Sequence, residues 1–382
     1  MKPVTQKLKI LYVVTEDWYF CSHRLNLARA AQERGFAVHI ATSVHSHGDK
    51  IRSLGFQLHP LLQLKRSNLS PWQDLKAVGE LWRIYRKVRP DIVHHVALKP
   101  VLYGTLIARI LRIKIIINAL GGLGSLFISE TSRMRGLQKI IIFLLRHLLN
   151  QKSQKLIVQN QEDYTLWQSK AQLSSARLIL IPGSGVDIDH FKPRQHTPNL
   201  IPLIVCASRM LWDKGIGELA SAARILKQKQ LKFRLLLCGS IDDQNPSTIE
   251  KSTLINWQKE ELLEWLGHIE DIAPIYQSAD IAVLPSYREG LPKTLLEAAA
   301  CALPILTTDV PGCRDIVHHQ VNGLLVPAKN SQAIADALEL LIKNQSLCQF
   351  YGKSGRIRVE KEFADQLIIA QTLKLYSSFN SI

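Results

Sequence analysis

The stretch LPSYREGLPKTLLEAAACALPILT, residues 284–307, places a strand, a polar loop, a helix and a second strand in one short span. The apolar run Asp280 to Leu284 predicts a buried strand ended by Pro285. Ser286 to Pro292 is polar loop, Lys293 to Cys301 an alanine-rich helix, and Pro304 to Thr307 the start of the next strand. Two carboxylates bracket the loop and helix, Glu289 and, eight positions on, Glu297. At 3.6 residues per turn Glu297 lies about one turn into the helix. The helix N-terminus, with Gly290 and Leu291 ahead of Pro292, offers backbone N–H groups and a positive dipole end to an anion. One carboxylate can accept hydrogen bonds from ribose hydroxyls, as acids do in nucleotide sites of α/β sheets, leaving the other for sugar hydroxyls. A capped surface helix with two solvated glutamates has the same local pattern, so the surrounding chain decides between the two.

Strand and helix signals alternate on both sides of that stretch. In the first half, strands are predicted at Lys9 to Val14, Ala37 to Thr42, Gln57 to Leu61, Asp91 to His94, Lys114 to Asn118 and Lys155 to Gln159. Helices are predicted at Ser22 to Gly35, Pro71 to Val88, Tyr103 to Leu111 and Met134 to Asn150. The second half restarts the pattern with strands at Leu203 to Ala207 and Phe233 to Cys238, and it closes on a helix over Phe363 to Phe379. Such alternation predicts an α/β chain of two Rossmann-like, doubly wound parallel-sheet domains. A length of 382 residues suits two domains. Boundaries are expected at 1–191 and 192–362, with 363–382 packing back on the first domain.

Composition excludes several classes. A hydrophobic share of 46% with mixed charges is that of a globular chain. The six cysteines form no C-x-x-C pair, and Cys206 and Cys238 sit inside apolar runs, so reduced core thiols in a cytoplasmic protein are expected. KLKILYVVTE is expected to be a first strand rather than a leader, since acids follow its short apolar run, and no stretch approaches the length of a membrane span. The net charge of +16 is lopsided. Residues 1–191 hold 27 Lys+Arg against 12 Asp+Glu, and residues 192–382 hold 21 against 20, so +15 lies in the first half and +1 in the second. An anionic partner is expected there. Trp72, Trp82 and Tyr85 interleave with Lys76, Arg83, Arg86 and Lys87 on one helix, and RMRGLQKIIIFLLRHLLNQK is basic and apolar together, which favours an anionic membrane surface over nucleic acid.

Two motifs fail their tests. Gly121-Gly122-Leu123-Gly124 lacks the third glycine and the later acid of a dinucleotide fingerprint, and the first βα turn, Thr15 to Cys21, has no glycine, so a nicotinamide site is rejected. Asp187-Ile188-Asp189 falls between Pro182 and Pro193 and reads as turn chemistry, and no cluster has metal-ligand spacing, so no metal is expected. Between the strand Leu203 to Ala207 and the next helix, Arg209, Lys214 and Gly215 form a diphosphate clamp by charge and position.

Taken together these residues resemble the retaining glycosyltransferases of family four, whose GT-B fold sets two Rossmann-like domains across a cleft. The resemblance is carried by ASRMLWDKGIGEL, LLLCGS, the 284–304 stretch, VPGCRDIV and NGLLVP, in order over most of residues 203–327. The first half matches more loosely through HHVALKPVLYGTLIAR and LGGLGSLFI. With DQNPS and PSYREGLP the chain looks like the members that extend undecaprenyl-diphosphate-linked glycans from nucleotide-activated N-acetylhexosamines. The resemblance implies that Arg209 and Lys214 bind the donor diphosphate, Glu289 the donor sugar and Glu297 the ribose, with Gly290, Leu291 and Gly239 also at the donor. It implies a nucleotide-sugar substrate, a UDP-sugar, no cofactor, a polyprenyl-diphosphate-linked acceptor, and peripheral attachment to the inner face of the cell membrane. Many relatives carry a histidine where this chain has Gly121, so His23 or Lys99, near Gly122, is expected to supply that acceptor-side contact. The glycine usual after the alanine-rich run is Ala302. Two rival readings share the architecture, a nucleotide-sugar epimerase and a non-catalytic sugar- or partner-binding module. An epimerase leaves the basic first half unexplained, and a non-catalytic module has no need of Arg209, Lys214, Glu289 and Glu297 together.

Overall fold

The computed structural model describes residues 7–64, 70–121, 132–151, 153–193 and 198–377. They form two units of separate internal contacts, one of residues 1–184 with 368–382, the other of residues 185–367. In the first unit the order is β1 (Lys9–Glu16), α1 (Asp17–His23), α2 (Leu25–Glu33), β2 (Ala37–Ser43), α3 (Gly48–Ser53), β3 (Gln57–Pro60) and α4 (Pro71–Val88). It continues with β4 (Ile92–Val96), a π-helical turn (Pro100–Gly104), α5 (Thr105–Ile110), β5 (Ile115–Ala119), α6 (Ser132–Leu149), β6 (Gln154–Val158), α7 (Gln161–Lys170) and β7 (Leu178–Leu180). The strands form one parallel sheet in the order β3-β2-β1-β4-β5-β6-β7.

The period of two is visible in β1. Ile10, Tyr12 and Val14 enter a core with α2 and α3, while Leu11 and Val13 enter a core with α4 and α5 on the other face. The helix predicted over Ser22 to Gly35 is in fact two, starting at Asp17 and broken at Arg24, whose φ of −130° is not helical. α4 begins with Pro71 at its first position, where a missing N–H is harmless, and ends at Arg89 in the left-handed region before Pro90. Ile368, Leu373 and Tyr376 lie in the core that β1 shares with α2. There the Tyr376 hydroxyl meets Tyr12 Oη at 3.2 Å and His94 Nδ1 at 2.6 Å.

The second unit runs β8 (Leu203–Ala207), α8 (Ile216–Gln228), β9 (Arg234–Cys238), α9 (Lys251–Lys259), β10 (Glu264–Trp265), α10 (Ala273–Ser278), β11 (Ile281–Leu284), α11 (Lys293–Ala300) and β12 (Ile305–Thr308). After these come α12 (Cys313–Ile316), β13 (Gly323–Val326), α13 (Ser331–Lys343), α14 (Gln345–Arg358) and α15 (Asp365–Ser377), whose later turns belong to the first unit. Its parallel sheet has the order β10-β9-β8-β11-β12-β13. Strand order reverses direction between β8 and β11, and between β1 and β4 in the first sheet. Ligands of such sheets bind outside the carboxyl ends of the strands at that reversal. Ala302 sits at φ 59°, a left-handed backbone that suits the glycine expected there from the resemblance and costs an alanine about 1 kcal/mol.

Candidate active site

The loops after β8 and β11 meet at the reversal of the second sheet. The β8 loop turns through a 3₁₀ segment, Trp212–Lys214, and Gly215 passes it into α8 at φ 69°. A Cβ on Gly215 would lie 2.1 Å from the Pro285 carbonyl oxygen, so only glycine lets the two loops touch. The Tyr287 N–H donates to the Asp213 carbonyl at 2.9 Å and ties them together. At this junction Lys214 Nζ donates to Glu289 Oε1, which also accepts from Ser286 Oγ at 2.6 Å. Their side chains are only 17% and 12% exposed, so the pair is shielded yet reachable. Arg209, earlier in the same loop, donates from Nη1 to Asp242 Oδ2 at 2.5 Å.

Glu297 stands apart from that pair. It is buried on α11 and takes Lys293 Nζ on Oε1 at 2.6 Å, an i,i+4 ion pair within the helix. The structure thus brings Lys214 and Glu289 into contact and leaves Glu297 with its own cation. Gly290 and Leu291 are buried, and the Leu291 side chain belongs to the core of the unit. Gly312, at φ 79°, closes over this backbone; a Cβ there would be 2.6 Å from the Gly290 oxygen. Gly239 turns out to be a spacer. Its N–H goes to the Gly267 carbonyl at 2.7 Å, its carbonyl accepts from Trp265 Nε1 at 2.8 Å, and a Cβ would lie 1.7 Å from the Ser208 oxygen. Its expected contact with the donor therefore has no spare N–H to use.

Tyr287 donates its hydroxyl to Glu218 at 2.6 Å, and burial together with that carboxylate pushes its phenol well up. Burial and then the Glu289 charge push the Cys313 thiol up to about 12, which removes it as a nucleophile. Asp187 accepts the N–H groups of Asp189 and His190 through Oδ1, each at 3.0 Å, which is the geometry of a turn cap. Among the described residues no cluster of three His, Cys, Asp or Glu could hold a metal. Sequence reasoning missed Asp242, Ser286 and Lys293. Lys293 was readable from its i,i+4 spacing to Glu297, whereas Asp242 and Ser286 are brought in by loop geometry.

On the first unit, His23 stacks on Tyr19, ring centroids 4.1 Å apart and nearly parallel, and its Nδ1 meets Ser22 Oγ at 2.6 Å. A Cβ on Gly121 would lie 2.9 Å from the Tyr19 hydroxyl, so that hydroxyl occupies the space a side chain would need. Lys99 is engaged elsewhere, in an ion pair with Asp74 at 2.9 Å. Gly122 lies outside the described residues. Tyr85 is also not where its surface role required it. It is buried, with its hydroxyl on His95 Nε2 at 2.6 Å, and Trp82 is half-buried, because both face the sheet at helical spacing. Exposed apolar groups occur instead at Trp72 and Leu75 on α4, Leu106 and Ile110 on α5, and Ile140, Phe143 and Leu144 on α6. Arg109 joins the last two helices through the His147 carbonyl at 3.0 Å. From residue 70 to 151 every described carboxylate is occupied, Asp74 by Lys99, Glu80 by the N–H groups of Leu62 and Gln63, and Asp91 by that of Lys9. Lys76, Arg83, Arg86, Lys87, Arg135 and Lys139 are exposed on the same helices. No helix among the described residues is long and apolar enough to cross a membrane.

Comparison with known proteins adds to this geometry. Residues 187–358 match the family model for glycosyl transferases group 1, and residues 9–160 that for glycosyl transferase 4-like proteins. The N,N'-diacetylbacillosaminyl-diphospho-undecaprenol alpha-1,3-N-acetylgalactosaminyltransferase of Campylobacter jejuni is 26% identical over 365 residues, 92% of this chain and 94% of that protein. An Escherichia coli UDP-Gal:alpha-D-GlcNAc-diphosphoundecaprenol alpha-1,3-galactosyltransferase is 24% identical, over 78% of this chain and 77% of its own. The crystal structure of Anabaena HepE in complex with UDP and glucose superposes with a TM-score of 0.78 at 17% identity, covering 97% of this chain and all of that one.

Proposed function

The chain belongs to the group 1 glycosyl transferases of the GT-B fold, family four, and on that premise we propose that it is a retaining N-acetylhexosaminyltransferase using a UDP-sugar donor. Its acceptor is a glycan on a polyprenyl diphosphate, in surface-polysaccharide or related glycan assembly; the undecaprenyl-linked substrates named for both relatives support this reading. The observation that carries it is the shielded Lys214–Glu289–Ser286 cluster, with Arg209 on the same loop, at the reversal of the second sheet.

Departure of the nucleoside diphosphate is the difficult step. Lys214, Arg209 and the N-terminus of α11 stabilise the charge that grows on it, in a setting where water competes little. Glu289, fixed by Lys214 and Ser286, orients the donor sugar. Glu297 accepts from a ribose hydroxyl through the oxygen that Lys293 does not take. The leaving phosphate accepts the acceptor's proton, so a protein base is not required. The first unit carries the acceptor, with Tyr19 and His23 on α1, the helix that follows β1, as its contacts. The exposed apolar groups of α5 and α6, together with the exposed Arg135 and Lys139 on α6, dock the enzyme on the anionic inner face of the cell membrane.

The test is incubation of purified protein with UDP-N-acetylglucosamine or UDP-N-acetylgalactosamine, with and without undecaprenyl-diphosphate-linked glycans, read by mass spectrometry. Growth of the acceptor by one N-acetylhexosamine is expected. Inversion of either donor at C2 without acceptor, which needs only loss and return of the nucleoside diphosphate, makes the protein an epimerase, and binding without turnover makes it a non-catalytic module.

A further inference from the structure

The DDQNPS segment, residues 242–247, has no role in the proposed chemistry, yet the structure ties it to the diphosphate clamp. It follows β9 and is bonded along its length to the loop that follows β8. Met210 N–H donates to the Ser240 carbonyl at 3.0 Å, Trp212 N–H to the Ser247 carbonyl at 2.8 Å, and Ile249 N–H to the Met210 carbonyl at 3.0 Å. Asp213 N–H donates to Ser247 Oγ at 3.2 Å. Within the segment, Asn245 N–H closes a turn on the Asp242 carbonyl at 2.8 Å, and Asn245 Oδ1 accepts from Ser247 N–H at 3.0 Å. Main-chain geometry therefore sets where the Asp242 carboxylate stands relative to Arg209.

The manner of that contact matters. Arg224 grips Glu260 with Nε and Nη2 together, and Arg234 does the same to Glu264, so each of these surface guanidinium groups gives one whole edge to its acid. Arg209 gives Asp242 a bond from Nη1 alone among the described residues. A guanidinium has five N–H donors in a rigid fork, so this grip fixes the plane of the group and leaves an edge for a second anion. A competitor for the same site would take the fork edge-on.

Resting on the assignment of Arg209 to the donor diphosphate, we propose that Asp242 is the positioning residue of the clamp. It holds Arg209 by one nitrogen and presents the remaining donors of the fork to the diphosphate of the nucleotide sugar. Pre-setting a long side chain in this way removes its rotamer entropy from the cost of binding.

The experiment is a double-mutant cycle on the full chain, with Asp242→Ala, Arg209→Ala, the two combined, and Asp242→Asn. UDP affinity is read by calorimetry, donor kcat and KM by turnover, and folding by the thermal midpoint. Asp242→Ala is expected to weaken UDP roughly ten-fold, within the usual coupling of groups in direct contact. Asp242→Asn keeps an acceptor oxygen and should recover most of that loss. In the Arg209→Ala background, removing Asp242 should change nothing further. If Asp242→Ala weakens UDP equally with Arg209 absent, the aspartate only braces its loop and the proposal fails. Tighter UDP binding in Asp242→Ala would make it a competing counter-ion instead. Should Arg209→Ala itself bind UDP like the wild type, the clamp assignment falls and this proposal with it.

Discussion

Replacing Lys214 by alanine separates what the clamp does for catalysis from what it does for the fold. The Lys214–Glu289 pair is shielded, with side chains 17% and 12% exposed. Removing the lysine leaves the Glu289 carboxylate among buried neighbours with the Ser286 hydroxyl as its remaining hydrogen-bond donor among the described residues. A lost charged hydrogen bond in such a place costs about 1.5–3 kcal/mol of stability. For a unit of this size that is a fall of about 3–12 °C in its thermal midpoint. Turnover should suffer more, by roughly 10²–10³, since a contact that strengthens as the diphosphate departs is worth about 2.7–4 kcal/mol. The two losses part company in the double variant Lys214→Ala/Glu289→Gln. Neutralising the stranded carboxylate restores much of the midpoint, because a missing pair is cheaper than half a pair, but the rate stays low. Calorimetry and initial rates on the four proteins decide it. A near-wild-type rate for Lys214→Ala, or a rate that returns with stability in the double variant, refutes the role given to this cation.

Gly312→Ala should cripple turnover and lower the midpoint, because its Cβ would press on the Glu289 and Gly290 carbonyls, whereas Gly35→Ala, at φ 89° with nothing within 4 Å, should cost only about 1 kcal/mol. Equal effects of the two would show that the Glu289 backbone tolerates displacement. Reversing Arg83, Arg86 and Lys87, or changing Ile140 and Phe143 to glutamate, should reduce binding to anionic liposomes; salt-independent binding that ignores lipid charge overturns the docking face. Chelation with EDTA should leave turnover unchanged, and loss of activity in EDTA together with Asp187→Ala would place a metal on that segment. Burial holds His95 down to about 4, so it is neutral in the fold while the unfolded chain takes up a proton below about 6.5. Stability should therefore fall as pH drops from about 6.5 to 4, by up to 1.4 kcal/mol per pH unit from this residue, and His95→Gln should flatten the slope of the midpoint against pH. Identical slopes would remove His95 as a cause.

Both sheets were legible because their strands are apolar runs punctuated by glycine and proline, and Pro71 and Pro90 fixed the ends of α4 outright. The break at Arg24 was not, since no proline or glycine marks it and it is set by tertiary packing. α7, α13 and α14 carried a signal that went unread: asparagine caps at Asn160, Asn330 and Asn344, each accepting the backbone N–H three residues on. At the site, charge and spacing pointed to Lys214 and Glu289, but sequence cannot show that they touch. Asp242 and Tyr19 were invisible for the same reason. Tyr85 misled because an aromatic among basic residues looks like surface until helical phase turns it inward.

The fully buried Tyr376, hydrogen-bonded to Tyr12 and His94, has a consequence for how the chain is made. Its partners emerge early from the ribosome, but residues 185–367 must be synthesised before the closing segment appears. At about 5–20 residues per second, that interval lasts roughly ten to forty seconds. Throughout it the N-terminal sheet has a vacant slot where Ile368, Leu373 and Tyr376 belong, and its apolar floor is open to the surrounding medium. In a cell this leaves a window for chaperone capture, ended by the arrival of Ile368, Leu373 and Tyr376.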